Sequence, residues 1–174
     1  KFDIGAYDHS KTLFIDPIFS YGTYLGEVGT EGQLIPGDAT LPGSNENNAM
    51  GSFQRFGLKS QGNFLYVIGA TIRTETSSPA FPVKLGFDTT QNGGYDIFVA
   101  KLDPSGGGAS DLIYSTFIGG DGRDMATMLD VNTAGEVFFT GETASAAFPT
   151  SNNAFDQTPN GGADVFVAKL NASG

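Results

Sequence analysis

Among the residues able to do chemistry the acidic ones are the more informative set, and two of them stand in one glycine-rich turn. The stretch GGDGRD carries Asp121 and Asp124. A hard cation such as Ca2+ needs several oxygen ligands, and a loop of this kind supplies carboxylates together with bent backbone carbonyls. Asp121 and Asp124 are therefore the candidate metal ligands. The loop lacks the alternating D-x-[DN]-x-[DN]-G pattern and offers only two carboxylates. An Asp-stabilised turn with Arg123 as a local counter-charge needs no ion, and it is the favoured of the two readings. Asp96 and Asp164 each follow Gly-Gly-x and precede an apolar run. An aspartate there can accept turn N–H groups and fix where a strand begins.

Other chemistries find little support. His9 is the single histidine, flanked by Asp8 and Ser10, and neighbours in one turn cannot form a catalytic triad among themselves. There is no G-x-S-x-G elbow. The absence of cysteine removes disulfides, thiolate ligands and thiol nucleophiles. No glycine-rich turn lies between a strand and a helix, so a phosphate-cradling loop is not expected. A formal charge of −10 repels phosphate backbones and argues against a nucleic-acid partner. No apolar run reaches the length of a membrane span, so no membrane insertion is expected. No catalytic residue and no cofactor other than Ca2+ is predicted.

The elements that must position these residues come from a tandem duplication. GGYDIFVAKLDPSG starts at Gly93 and GGADVFVAKLNASG at Gly161, with ten of fourteen positions identical. Further pairs keep the same order: IFSYGTYLG with LIYSTFIGG, FLYVIGAT with VFFTGET, and PAFPV with AAFPT. Fixed-order self-similarity of this kind marks a repeat architecture. Each unit reads as four short strands rich in Val, Ile, Phe, Tyr and Thr, bounded by Gly, Asn and Pro. The expected strands are 18–25, 53–58, 64–72 and 96–102 in the first copy, and 112–118, 126–131, 136–141 and 164–170 in the second. No segment carries capped helical periodicity. FLYVIGA and VFFTG lack the alternation of a sheet with one wet face. They fit strands covered on both sides, as in a propeller blade. The recurrent Lys101 and Lys169 are predicted to be charged outer-strand positions that discourage edge pairing. Phe81 and Phe148, each followed by Pro, read as buried aromatics anchoring a loop; a carbohydrate-stacking platform is the alternative, weakened by the absence of Trp.

At YSTFIGGDGRD, VNTAGEVFFTGET, AFPTSNNAF and GGADVFVAKLNASG, taken in order, the chain resembles the SBBP-type repeat, a seven-bladed β-propeller repeat of bacterial and archaeal surface proteins. The second copy matches over nearly its whole length, and the first at both ends. The resemblance implies a β-propeller fold and an exported parent protein, at the cell surface or outside the cell. It implies no activity and supplies no catalytic residues.

The expected architecture is all-β: two four-stranded propeller blades, a partial propeller, preceded by an N-terminal strand segment. Residues 1–17 form that segment, the tail of a preceding module. Residues 18–110 form the first repeat, with a polar, acidic loop inserted at 27–49 and a smaller insertion at 73–80. Residues 111–174 form the second. Two blades leave sheet edges and one blade face open, so further propeller repeats or partner protein chains are the expected partners. The expected role is a non-enzymatic structural or protein-interaction module, with the 27–49 loop as the candidate contact. A carbohydrate- or Ca2+-binding module is the alternative.

Overall fold

A computed structural model describes residues 21–25, 56–71 and 80–174. The whole N-terminal segment with His9, the whole 27–49 insertion and most of the 73–80 insertion lie outside the described residues. The described chain is all-β, with seven strands in two antiparallel sheets and one short 3-10 turn, Gly108–Asp111.

The first sheet runs β1 (Gly57–Gln61), β2 (Phe64–Thr71), β3 (Asp96–Leu102), β4 (Leu112–Ile118). Gly62 and Asn63 connect β1 to β2, and Gly62 adopts φ +59°, which suits a residue without Cβ in a two-residue hairpin turn. The second sheet runs β5 (Asp124–Val131), β6 (Val137–Thr143), β7 (Asp164–Leu170). The β5–β6 turn is organised by Asn132, whose Oδ1 accepts the Ala134 and Glu136 N–H groups, both at 3.0 Å. Such side-chain bonds let the short polar residue dictate the reversal.

The repeat boundary in the sequence and the sheet boundary in space differ by one strand. Residues 112–118, expected to open the second unit, instead close the first sheet by pairing with β3, Ile97 opposite Ile118 and Phe98 opposite Phe117. Among the described residues the second sheet then has three strands, with β7 at its edge. The reason is connection length: the short loop after β3 returns the chain antiparallel beside it, which a short connection favours. The strand expected at 53–58 is β1, displaced to Gly57–Gln61. Lys101 also departs from expectation. It sits on an inner strand, between β2 and β4, with its ammonium 4.3 Å from the Phe64 ring centre and 5.4 Å from that of Tyr66. Its role there is a cation–π cover over the aromatic rings, not protection of an edge.

The sheets pack face to face. Tyr66, Ile68, Ile97, Val99, Tyr114 and Ile118 of the first meet Val137, Phe139, Phe166 and Leu170 of the second, with Ala126 and Val131 of β5 joining them. The other face of the first sheet is covered by its own chain. Phe81 stacks at 4.9 Å from Phe98 and 5.3 Å from Phe117, with Leu25, Val67 and Val83 around them. Phe148 plays the matching part in the second sheet, 4.7 Å from Phe166. The expected buried aromatic is therefore found at Phe81, whereas Phe148 lies over its sheet but is only partly buried.

Candidate functional site

The strand-opening aspartates share one local geometry. Asp96 accepts the Asn92 N–H at 2.9 Å, Asp124 the Gly120 N–H at 2.9 Å, and Asp164 the Asn160 N–H at 3.0 Å. In each, a carboxylate on the first strand residue closes the turn before it. Asp111, just ahead of β4, does the same with the Gly107 N–H at 2.6 Å. These are charge-assisted bonds to backbone donors that would otherwise need another partner.

A second ring of polar groups supports two of the turns. Asp88 accepts from the Thr90 N–H at 2.8 Å and the Asn92 side-chain amide at 2.9 Å. In the second copy Asp156 accepts from the Thr158 N–H at 3.0 Å and the Asn160 amide at 3.3 Å. The sequence signal is the identity of FDTTQNGGYD with FDQTPNGGAD in Phe, Asp, Thr, Asn, Gly, Gly and Asp. It extends the recognised repeat upstream, and the reading from GGxD alone misses it.

At the seam between the sheets three loops lock together. The Gly94 N–H donates to Gly122 O at 2.8 Å, and the Asp124 N–H to Tyr95 O at 2.6 Å. The Gly122 N–H donates to Ser145 Oγ at 2.8 Å, whose hydroxyl donates to Asp124 Oδ2 at 2.7 Å. Inside this knot Asp96 and Asp124 are both fully buried. They converge on Gly119: a Cβ on that residue would collide with Asp96 Oδ1 and lie 2.9 Å from Asp124 Oδ2. Only glycine leaves room for both carboxylates. Among the described residues Asp96 Oδ1 and Asp124 Oδ1 have no hydrogen-bond partner. Burial is the main force pushing the Asp96 pKa up to about 6; the Asn92 N–H pulls it down, while the charges of Asp124 and Asp88 add to the rise.

The structure does not bring Asp121 and Asp124 together as a ligand pair. Asp121 is exposed, and its Oδ1 accepts the Ala147 N–H at 3.2 Å. Asp124 turns inward to Ser145 and Gly119. The partner that the sequence reading did not assign to Asp124 is Asp96, contributed by the other sheet. Ser145 has no sequence signal at all. Among the described residues no group of three or more His, Cys, Asp or Glu side chains gathers as a metal cluster, and no helix is long and apolar enough to cross a membrane. The arrangement raises the proton affinity of Asp96 and ties the loops of the two sheets together.

No family model, no curated protein and no solved structure matches the chain.

Proposed function

We propose that this chain is a non-enzymatic structural or protein-interaction module, two repeats of a β-propeller-type stack, from an exported bacterial or archaeal protein of the cell surface or extracellular space. The observation that carries the reading is the direction of stacking. The face of the first sheet that holds Ile97 and Val99 is covered by the face of the second that holds Phe166. The matching face of the second sheet, with Val165 and Val167, is exposed. Units that stack front to back leave the same face open for another unit, as in propellers and other repeat assemblies. The buried Asp96–Asp124 pair supports a structural role, because carboxylates closed off from solvent cannot touch a substrate. The exported location rests on the resemblance of the repeats.

Extending the stack tests the reading. A further copy of residues 111–174 fused after Gly174 supplies a β4-type strand to the second sheet and a new sheet over Val165 and Val167. The thermal midpoint should rise, since stability in stacked repeats adds through nearest-neighbour interfaces. An unchanged or lowered midpoint removes the stacking proposal.

A Ca2+-binding role is the second reading, favoured by the unpartnered oxygens of Asp96 and Asp124. Two buried carboxylates without a counter-charge can be relieved by a cation as well as by a proton. Titration calorimetry with Ca2+ separates the two: heat that Asp96→Asn abolishes supports the cation, and no heat discards it.

A further inference from the structure

The second sheet lacks something that the first sheet has, and the chain carries a spare. In the first sheet β3 pairs on its outer side with β4, Ile97 opposite Ile118, Phe98 opposite Phe117, Val99 opposite Thr116 and Lys101 opposite Tyr114. β7 repeats β3 as DVFVAKL against DIFVAKL, yet among the described residues no strand pairs with its outer side. Residues 21–25, YGTYL, repeat YSTFI of β4, yet they form no strand in the structure.

The exposures point to the same mismatch. Val165 and Val167 are 79% and 83% exposed, whereas their counterparts Ile97 and Val99 are both at 0%. Tyr24 is 98% exposed, whereas its counterpart Phe117 is at 0%. The aromatic trio Phe81, Phe98 and Phe117 is complete in the first sheet. In the second, Phe148 and Phe166 have no third member from an outer strand among the described residues. An aromatic residue arriving opposite Phe166 would complete it, and Tyr24 is that residue in the donor segment. An open edge with exposed apolar side chains is a template for strand addition.

Resting on the stacking reading above, we propose that residues 21–25 of one copy add as an antiparallel strand to the β7 edge of a second copy. The register copies that of β3 with β4: Val165 opposite Leu25, Phe166 opposite Tyr24, Val167 opposite Thr23, and Lys169 opposite Tyr21. Donor and acceptor are different surfaces, so the contact is head-to-tail and propagates from copy to copy until a ring closes. Residues 21–25 already lie on the correct side for this. Leu25 packs near Phe81, Phe98 and Phe117, on the face of the first sheet away from the second, where a preceding sheet would stack.

The test uses the 174-residue chain and two variants, one acceptor-blocked (Val167→Glu) and one donor-blocked (Thr23→Pro with Tyr24→Asp), each checked for retained sheet content by circular dichroism. Sedimentation should find the unmodified chain in concentration-dependent multimers and each variant as a single chain. Mixing the two variants should yield a complex of two chains and nothing larger, because one intact donor meets one intact acceptor. A peptide of residues 112–120, LIYSTFIGG, should compete with multimer formation without any substitution. Multimers that survive both variants, or a mixture that stays monomeric, overturn the proposal. A monomeric unmodified chain that still binds the peptide overturns the second copy as occupant but leaves the stacking reading standing. A monomer that binds no peptide removes both.

Discussion

At the scale of single residues the informative pair is Asp96 and Asp124. The sequence singles out both, Asp96 as a turn cap and Asp124 as a metal ligand, but it cannot show that they meet, because they lie on different sheets. Their juxtaposition has a pH consequence. Asp96 titrates near 6 in the fold against about 3.8 when exposed. Between those values the folded state holds a proton that the unfolded state has lost, so stability falls as pH rises. The group's unfavourable contribution is absent below the unfolded value and fully developed above pH 6, amounting to about 3 kcal/mol. Asp96→Asn removes it. The asparagine carbonyl can keep the bond from the Asn92 N–H, and no charge is left to bury. Above pH 6 the variant should melt at a higher temperature than the parent, and thermal melts across pH 4 to 6 should lose part of their slope. Equal slopes for variant and parent would show that Asp96 ionises freely in the fold.

At the scale of elements, strand identity was legible and strand partnership was not. β2, β3, β4 and β7 fall where β-branched and aromatic runs predict them, because local composition and flanking glycines decide them. Which sheet receives 112–118 is a tertiary outcome, settled by the short return after β3. The repeated glycines make the same point. Gly69 and Gly141 occupy matching places in FLYVIGAT and VFFTGET, but for different reasons. A Cβ on Gly69 would meet the Phe98 ring at 2.7 Å. A Cβ on Gly141 would run into the Met125 carbonyl oxygen and sit 2.9 Å from Ala126 Cα, where β5 shifts register against β6. A ring can pivot, whereas backbone at a bulge cannot. Gly141→Ala should therefore cost more than Gly69→Ala, about 3 kcal/mol or above for the former. Urea denaturation of the two variants measures the difference, and a smaller loss at Gly141 would mean that the bulge yields.

At the scale of the molecule, the apolar cluster at the seam is built from both sheets together. Phe166 stands in the second sheet, 5.8 Å from Phe139 and 4.7 Å from Phe148, within the cluster that also contains Ile97 and Val99 of the first. Ordinary sheets can be stable with one face wet, but here β3 has both faces buried, and one of those faces depends on the second sheet. Removing the Phe166 ring should therefore loosen strands that it does not pair with. Phe166→Ala is expected to cost about 3–5 kcal/mol and to speed amide hydrogen exchange at Ile97 and Val99 as well as along β6 and β7. Phe81→Ala provides the contrast, since Phe81 packs on the opposite face of the first sheet. Its loss should speed exchange around Phe98 and Phe117 while leaving most of the protection of β6 and β7. Exchange mapped residue by residue decides the matter: a Phe166→Ala effect confined to β5, β6 and β7 would mean that the two sheets fold separately and that the seam joins finished units.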